Sequence, residues 1–392
     1  MIDVEELALQ RSRYPELSDV DFRFMLQQID GRQRTTHKLP TLTALQDWWF
    51  PRRLACEQCS SELTANYKTQ VIRRHPLLQS LPNDEIVGTD LTGGYGIDSY
   101  FFSRTFGQVH YVEKDAELCR IAHHNFSQYA PNIHIHNTDA GTYIANAEPC
   151  HFVYIDPARR NKYGNKVFCL ENCEPNLNTI LQSIRTKTHL FICKLSPMLD
   201  ISAAVRALQN AVPNNAFALD VHIVAVGNEV KELLLITAEQ PTQPRVVAVN
   251  IQPDDALLQH PHVLSIVQHT ATADIPYAPH IQTFLYEPNA AILKAGMYNE
   301  VAQHFHIAKL APNTHLYTSN TLIHDFPGRV WRILRPYLRH DEITQCNVIT
   351  RNYPLTPEQL KKKLRLQDGG DWYLIGTRIG SKATLLLGVR IG

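Results

Sequence analysis

The sequence predicts an α/β fold built on an open, mostly parallel sheet, and three observations carry that reading. Between residues 81 and 240 short apolar runs alternate with helix-length segments. The first four of these runs each end in an acid, and the first breaks into three glycines. Residues 86–96 read I-V-G-T-D-L-T-G-G-Y-G, a strand carried through Asp90 and Thr92 into a turn at Gly93, Gly94 and Gly96. Glycines at such a turn let backbone approach a ligand closely, and residues 97–106 are expected as the following helix. A dinucleotide loop is the competing reading, but G-x-G-x-x-G is matched at only two of its three glycines.

The later strands decide between the two. Residues 108–113 (Q-V-H-Y-V-E) end in Glu113, about 20 residues past the glycines, where a carboxylate can accept hydrogen bonds from ribose hydroxyls. Residues 133–137 lead to Asp139 and Ala140, and residues 151–155 lead to Asp156-Pro157-Ala158-Arg159-Arg160. Acids at the carboxyl ends of four successive strands stand where open α/β sheets bind ligands. Any one of them could be only a cap or turn residue; four in register are harder to explain so. Residues 188–193 read as a fifth strand, and 220–226 with 233–237 as an antiparallel hairpin at the sheet edge, a feature foreign to most dinucleotide folds.

This order resembles the class I S-adenosylmethionine-dependent methyltransferases, with their Rossmann-like, seven-stranded sheet. The resemblance implies S-adenosyl-L-methionine as cofactor. It places Asp90, Thr92 and the glycines at the methionine end, Glu113 at the ribose, Asp139 with Ala140 at the adenine, and the acceptor at Asp156 and Pro157, with Arg159 beside it. Amino methyltransferases of this class carry Asp/Asn-Pro-Pro-aromatic there; this chain has Ala158 and Arg159 in the last two places. Tyr163 or Phe168 could supply a stacking face from the next loop, and Arg159 or Arg160 could hold a phosphate or a guanine edge. Cys193 beside Lys194 offers another chemistry, a thiolate nucleophile for pyrimidine C5 methylation, ranked below amine methylation.

Length and composition bound the rest. The 392 residues leave room for two or three domains, and 44% apolar content suffices for ordinary cores. No apolar stretch reaches the roughly 18 residues of a membrane span, and the start of the chain is acidic, so a cytoplasmic protein is expected. Cys56-x-x-Cys59 and Cys169-x-x-x-Cys173 lie too far apart in sequence for a convincing zinc site, and no metal is expected. Residues 1–80 read as helical, with candidates at 42–49 and 60–78 and Ser60 or Ser61 as a cap. Residues 241–322 read as a proline-rich connector (Pro241, Pro244, Pro253) and a small α+β region, for which a ferredoxin-like fold is one reading.

Residues 323–392 differ in charge. They hold twelve Lys/Arg against six Asp/Glu, net +6, so the remainder is net −6 in a chain that balances 38 against 38. Such asymmetry signals a partner. Val330, Ile333, Leu334, Tyr337 and Leu338 are spaced as one helix face, with Arg329, Arg332, Arg335 and Arg339 opposite. A second helix is expected from Thr356-Pro357-Glu358-Gln359 onward, carrying Lys361, Lys362 and Lys363, followed by strands at 371–379 and 383–390. This tail, with the segment 286–296 (Y-E-P-N-A-A-I-L-K-A-G), is similar to the THUMP-like region attached to some bacterial methyltransferases that share the Asp-Leu-Thr-Gly-Gly turn and the Asp-Pro-Ala-Arg-Arg motif.

The resemblance implies RNA methylation, most readily at an exocyclic base amine near Asp156. RNA would be held by the tail, with Arg332, Arg335, Lys361 and Lys362 on its polar faces. Zero net charge makes any RNA affinity local. A protein or small-molecule methyltransferase would not need the basic tail. A non-catalytic RNA-binding protein would be expected to have lost one of the four acids.

Overall fold

In a computed structural model, described here for residues 2–159, 173–211, 218–238, 245–253, 262–267, 275–337 and 343–391, the chain divides into two compact units. One comprises residues 1–221, 232–244 and 253–259, the other residues 222–231, 245–252 and 260–392. Tyr163, Phe168, Arg160, Cys169, Pro241, Pro244, Leu338 and Arg339 lie outside the described residues.

The first unit begins with helices α1 (Val4–Leu9), α2 (Asp19–Thr35), α3 (Pro40–Thr43), α4 (Arg53–Gln58) and α5 (Glu62–Arg73). The expected helix at 42–49 is only the single turn of α3, and Trp48 and Phe50 instead run in irregular chain as fully buried side chains. The helix expected over 60–78 is α5, begun by Ser61, whose hydroxyl accepts from the Thr64 amide at 3.2 Å. Thr64, Lys68 and Ile72 recur at four-residue spacing on its buried stripe.

Strands and helices then alternate: β1 (Val87–Asp90), α6 (Ile97–Ser103), β2 (Gln108–Glu113), α7 (Ala116–Tyr129), β3 (Ile133–Asn137), α8 (Ala140–Asn146), β4 (Phe152–Ile155), a small ladder of β5 (Ala158–Arg159) with β6 (Cys173–Glu174), α9 (Leu177–Lys187), β7 (Leu190–Leu195) and α10 (Ile201–Asn210). The hairpin β8 (Ala218–Val226) and β9 (Glu229–Ala238) follows, then β10 (Arg245–Ile251) and β11 (His262–Val267).

The hydrogen-bonded order is β11-β10-β8-β9-β7-β4-β1-β2-β3. Strands β3, β2, β1, β4 and β7 are parallel, and β9 returns antiparallel to β7. The seven-stranded sheet expected from sequence is therefore present, but nine strands are joined. The hairpin is not at the edge, because β10, which lies between Pro244 and Pro253 of the proline-rich connector, and β11 lie beyond β8. Every parallel strand ends on one side, and the chain reverses direction of travel between β1 and β4, the place where such sheets open a crevice.

The second unit contains β12 (Phe284–Pro288), α11 (Ala290–Ala295), α12 (Tyr298–Phe305), β13 (Ala308–Ala311), β14 (Thr314–Ser319), β15 (Gly328–Pro336), β16 (Asn347–Thr350), α13 (Pro357–Leu364), β17 (Trp372–Ile379) and β18 (Lys382–Arg390). Its sheet order is β13-β14-β12-β15-β18-β17-β16. The helix expected around Val330–Tyr337 is instead β15, hydrogen-bonded on both sides, to β12 and β18. Trp331 is fully buried in the core with Leu285, Leu316, Ile375 and Leu386, while Arg332 and Leu334 on the other face are exposed. Hydrogen bonds to two flanking strands override the helical spacing of its apolar residues. The expected α13 forms, with the Thr356–Gln359 capping box and Pro357 in its first turn. Among the described residues no helix is long and apolar enough to cross a membrane.

Candidate active site

The carboxyl end of β1 is drawn tight by its own acid. Asp90 is fully buried; its Oδ2 accepts from the Ser99 hydroxyl at 2.7 Å and its Oδ1 from the Thr92 amide at 3.0 Å. Burial pushes its carboxyl up to about 7, against those two bonds. Thr92 in turn accepts from the Asp156 amide at 2.7 Å, which ties the end of β4 to the turn after β1.

The glycines act differently from expectation. A β-carbon at Gly93 would lie 2.2 Å from the Tyr111 ring, and one at Gly96 2.5 Å from Phe126, so both serve internal packing. Only Gly94 faces open space, with its nearest atom at 3.8 Å, and its φ of +54° favours glycine. Its amide donates to Glu113 Oε2 at 2.9 Å, and the Asp115 amide donates to Oε1 at 2.8 Å. Two backbone donors thus fix the Glu113 carboxylate beside the one open glycine. Asp139 sits apart at the start of α8, where it accepts from the Thr142 amide at 2.9 Å; hydrogen bonds from the Thr142 side chain and then from its amide hold the carboxyl below the ordinary aspartate value. It is a helix cap, with Ala140 buried behind it.

Asp156 and Pro157 end β4, and Arg159 lies on β5, paired to Cys173 of β6. The Asp156 carboxylate bonds Lys194, at the end of β7, through Oδ2. Burial works against the Lys194 ammonium, but the carboxylates of Asp156, Glu232 and Asp98 outweigh it and hold its pKa above the ordinary lysine value.

Behind this pair lies a buried charge cluster that sequence reading missed. Lys68 Nζ bonds Glu232 Oε2 at 2.9 Å and Oε1 at 3.0 Å, and Ser60 Oγ at 3.1 Å. It also stands 3.1 Å from Asp98 Oδ1, at ion-pair distance but without an aligned hydrogen bond. Asp98 Oδ2 accepts from Ser60 at 2.8 Å and Tyr154 at 2.9 Å. The two acids respond differently. Burial raises both, but Lys68, Lys194 and the Ser60 hydroxyl bring Asp98 below its ordinary value, whereas for Glu232 burial outweighs Lys68 and Lys194 and its carboxyl stays above. The only sequence signal was a lysine on the apolar stripe of α5.

Cys193 is fully buried, and burial drives its thiol pKa well above the ordinary value; the Lys194 charge pairs with Asp156 instead. The thiolate nucleophile is therefore not supported. The thiols of Cys56 and Cys59 donate to backbone carbonyls of Pro51 and Cys56.

Comparison with known proteins fits this architecture. A family model described as THUMP domain-like matches residues 327–390, and one described as a ferredoxin-like domain matches residues 284–327. The crystal structure of a provisionally assigned methyltransferase from Porphyromonas gingivalis W83 is similar at a TM-score of 0.82 and 28% identity, over 96% of this chain and 92% of that chain. The chain has a methyltransferase fold with a THUMP-like C-terminus. Shorter likenesses include a provisionally assigned RNA methyltransferase from Pyrococcus horikoshii (12% identity, 52% of this chain and 97% of that chain, TM-score 0.37). Another is a tRNA (m1A58) methyltransferase from Aquifex aeolicus (14%, 47% and 71%, TM-score 0.33). No curated protein matches.

The residues present fit the methyl donor expected for such a fold: an open glycine backbone, a carboxylate fixed by two amides, and a buried acid at the first strand. If the Glu113 carboxylate receives the ribose hydroxyls, Glu113→Ala is expected to cost roughly 1.5–3 kcal/mol of S-adenosylmethionine affinity, the worth of such charge-assisted bonds. Isothermal calorimetry measures it; an unchanged dissociation constant would remove Glu113 from the site.

Proposed function

We propose that this protein transfers the methyl group of S-adenosyl-L-methionine to RNA. The observation that carries the reading is the convergence of Asp90, Gly94, Glu113 and Asp156 at one end of the parallel strands, with Thr92 linking Asp90 to Asp156 and the Gly94 amide held by Glu113. In this reading Asp90, Thr92 and the open backbone at Gly94 form the methionine end of the cofactor site, with Gly93 and Gly96 seating the turn on Tyr111 and Phe126. Glu113 holds the ribose, and Asp139 and Ala140 border the adenine. Asp156, Pro157 and Arg159 receive the acceptor. When bound, the cofactor supplies an electrophilic methyl on a sulfonium. The protein has only to align an acceptor in line with it and take its proton.

Residues 81–240 would do the chemistry, with residues 1–80 closing over it, residues 241–322 intervening, and residues 323–392 holding RNA. The THUMP-like match and the +6 charge of the tail support RNA as the substrate. An exocyclic base amine is the acceptor that the Asp156-Pro157 step suggests. The ion pair from Asp156 to Lys194 favours a second reading, a hydroxyl.

The RNA assignment is testable through the surface of the second unit. Arg332 and Arg335 are exposed on β15, and Lys362 and Lys363 on α13, whereas Lys361 pairs with Asp368 at 2.6 Å. Neutralising Arg332, Arg335, Lys362 and Lys363 in the full chain is expected to weaken single-stranded RNA binding and to lower the logarithmic salt slope by about 0.7 for each phosphate that is no longer neutralised. Calorimetric S-adenosylmethionine affinity should stay as in wild type. If filter binding gives the same affinity and slope for both proteins, RNA is not held by this surface, and a protein or small molecule becomes the preferred substrate.

A further inference from the structure

Asp156 is built as an anion with a cation fixed beside it. Lys194 takes Oδ2, the Asp156 side chain is 36% exposed, and the Asp156 backbone is anchored to the cofactor turn through Thr92. Lys194 itself is 13% exposed and is backed by the acids Glu232 and Asp98, which are in turn held by Lys68 and Ser60. Charges alternate from the protein interior to the acceptor position, so the place of the Asp156 carboxylate is set by fixed partners, Lys194 at its side chain and Thr92 at its amide.

The two acceptor classes make different demands on such a group. A base amine needs a hydrogen-bond acceptor to draw its N–H out of the ring plane and an aromatic face to stack the base. Its methylated product is an aminium that gives its proton readily to water. A neutral amide serves that purpose as well as a carboxylate. An alcohol oxygen becomes a strongly acidic oxonium on methylation, so its proton has to leave as the bond forms, and that step needs a positioned anionic base. Here the anion and its fixed counter-ion are present, and Ala158 and Arg159 stand where an amine methyltransferase has proline and an aromatic.

We propose that the acceptor is an alcohol, the 2′-hydroxyl of an RNA ribose, with Asp156 as the proton acceptor and Lys194 as the residue that positions it. The inference rests on the RNA-methyltransferase reading above. The hydroxyl oxygen forms the new O–CH3 bond as the S–CH3 bond breaks. The electrons of the broken bond remain on sulfur, leaving a thioether, and the hydroxyl proton passes to Asp156 and then to water. The 2′-hydroxyl is the group that distinguishes RNA from DNA at a single site.

The test incubates the full-length protein with bulk RNA and S-adenosylmethionine labelled in its methyl group, then hydrolyses the RNA in alkali. A 2′-O-methyl group blocks cleavage of the adjoining phosphodiester, so label is expected in alkali-resistant dinucleotides. Label confined to mononucleotides, on the base, overturns the hydroxyl and leaves RNA methylation standing. No label in RNA overturns both readings.

Lys194→Met is expected to lower kcat by about 10²-fold, and Lys194→Arg to recover a substantial part by restoring the cation. S-adenosylhomocysteine affinity, measured by calorimetry in the absence of turnover, should remain within about threefold for both variants, since a group acting only on the acceptor leaves cofactor binding unchanged. A tenfold or greater loss of that affinity would assign Lys194 to the cofactor, and undiminished turnover in Lys194→Met would remove it from the mechanism.

Discussion

Lys68→Met is expected to destabilise the first unit by about 3–5 kcal/mol, the cost of breaking a buried ion cluster by removing one partner. Lys68 is 1% exposed and gives its bonds to Glu232 and Ser60, with Asp98 at ion-pair distance. Methionine fills much of the same volume, so the loss reflects two uncompensated carboxylates rather than a cavity. The pH dependence identifies the cause. Without the ammonium, the folded-state pKa values of Asp98 and Glu232 rise above their unfolded values, so the folded variant binds more protons than the unfolded chain between the two. Its stability therefore increases as pH falls through that window, and the deficit against wild type should shrink from pH 8 toward pH 5. Urea denaturation at both pH values measures this. A deficit that is the same at the two pH values would trace the loss to packing.

What was legible in the sequence was local, and what was not had partners far along the chain. The four strand-end acids could be read because each lies within a few residues of its own strand and the period-two pattern marks that strand. Asp139 shows the limit of that logic: it follows its strand, yet the side chain caps α8 through Thr142. Gly93 and Gly96 were visible as glycines, but the reason for them is the rings of Tyr111 and Phe126, on β2 and α7. Strand β15 reads as a helix in sequence because Val330, Ile333, Leu334 and Tyr337 have helical spacing, while the residue that fills the core, Trp331, lies outside that set. The decision comes from β12 and β18, which no window around residue 330 contains. The Lys68–Glu232 contact joins residues 164 apart and is created only when α5 packs near the end of β7, where β9 begins.

Replacing Asp156 should separate chemistry from binding. Asp156→Ala is expected to lower kcat by roughly 10²-fold or more while leaving S-adenosylmethionine affinity within a few-fold, because the side chain lies past β4, on the side proposed for the acceptor, and the bond to Thr92 of the glycine turn comes from its backbone amide, which alanine keeps. Alanine also leaves the Lys194 ammonium without its partner, so the asparagine variant is the sharper instrument. Asp156→Asn keeps the size of the side chain and an oxygen that can accept from Lys194 or from an amine, but it cannot take up a proton at neutral pH. If the acceptor were a base amine, Asp156→Asn would retain most of the wild-type rate; for a hydroxyl acceptor it should be as slow as Asp156→Ala. Single-turnover kinetics with saturating cofactor isolates the methyl-transfer step. Wild-type rates in both variants would reduce the Asp156-Pro157 step to a structural turn and move the acceptor elsewhere in the crevice.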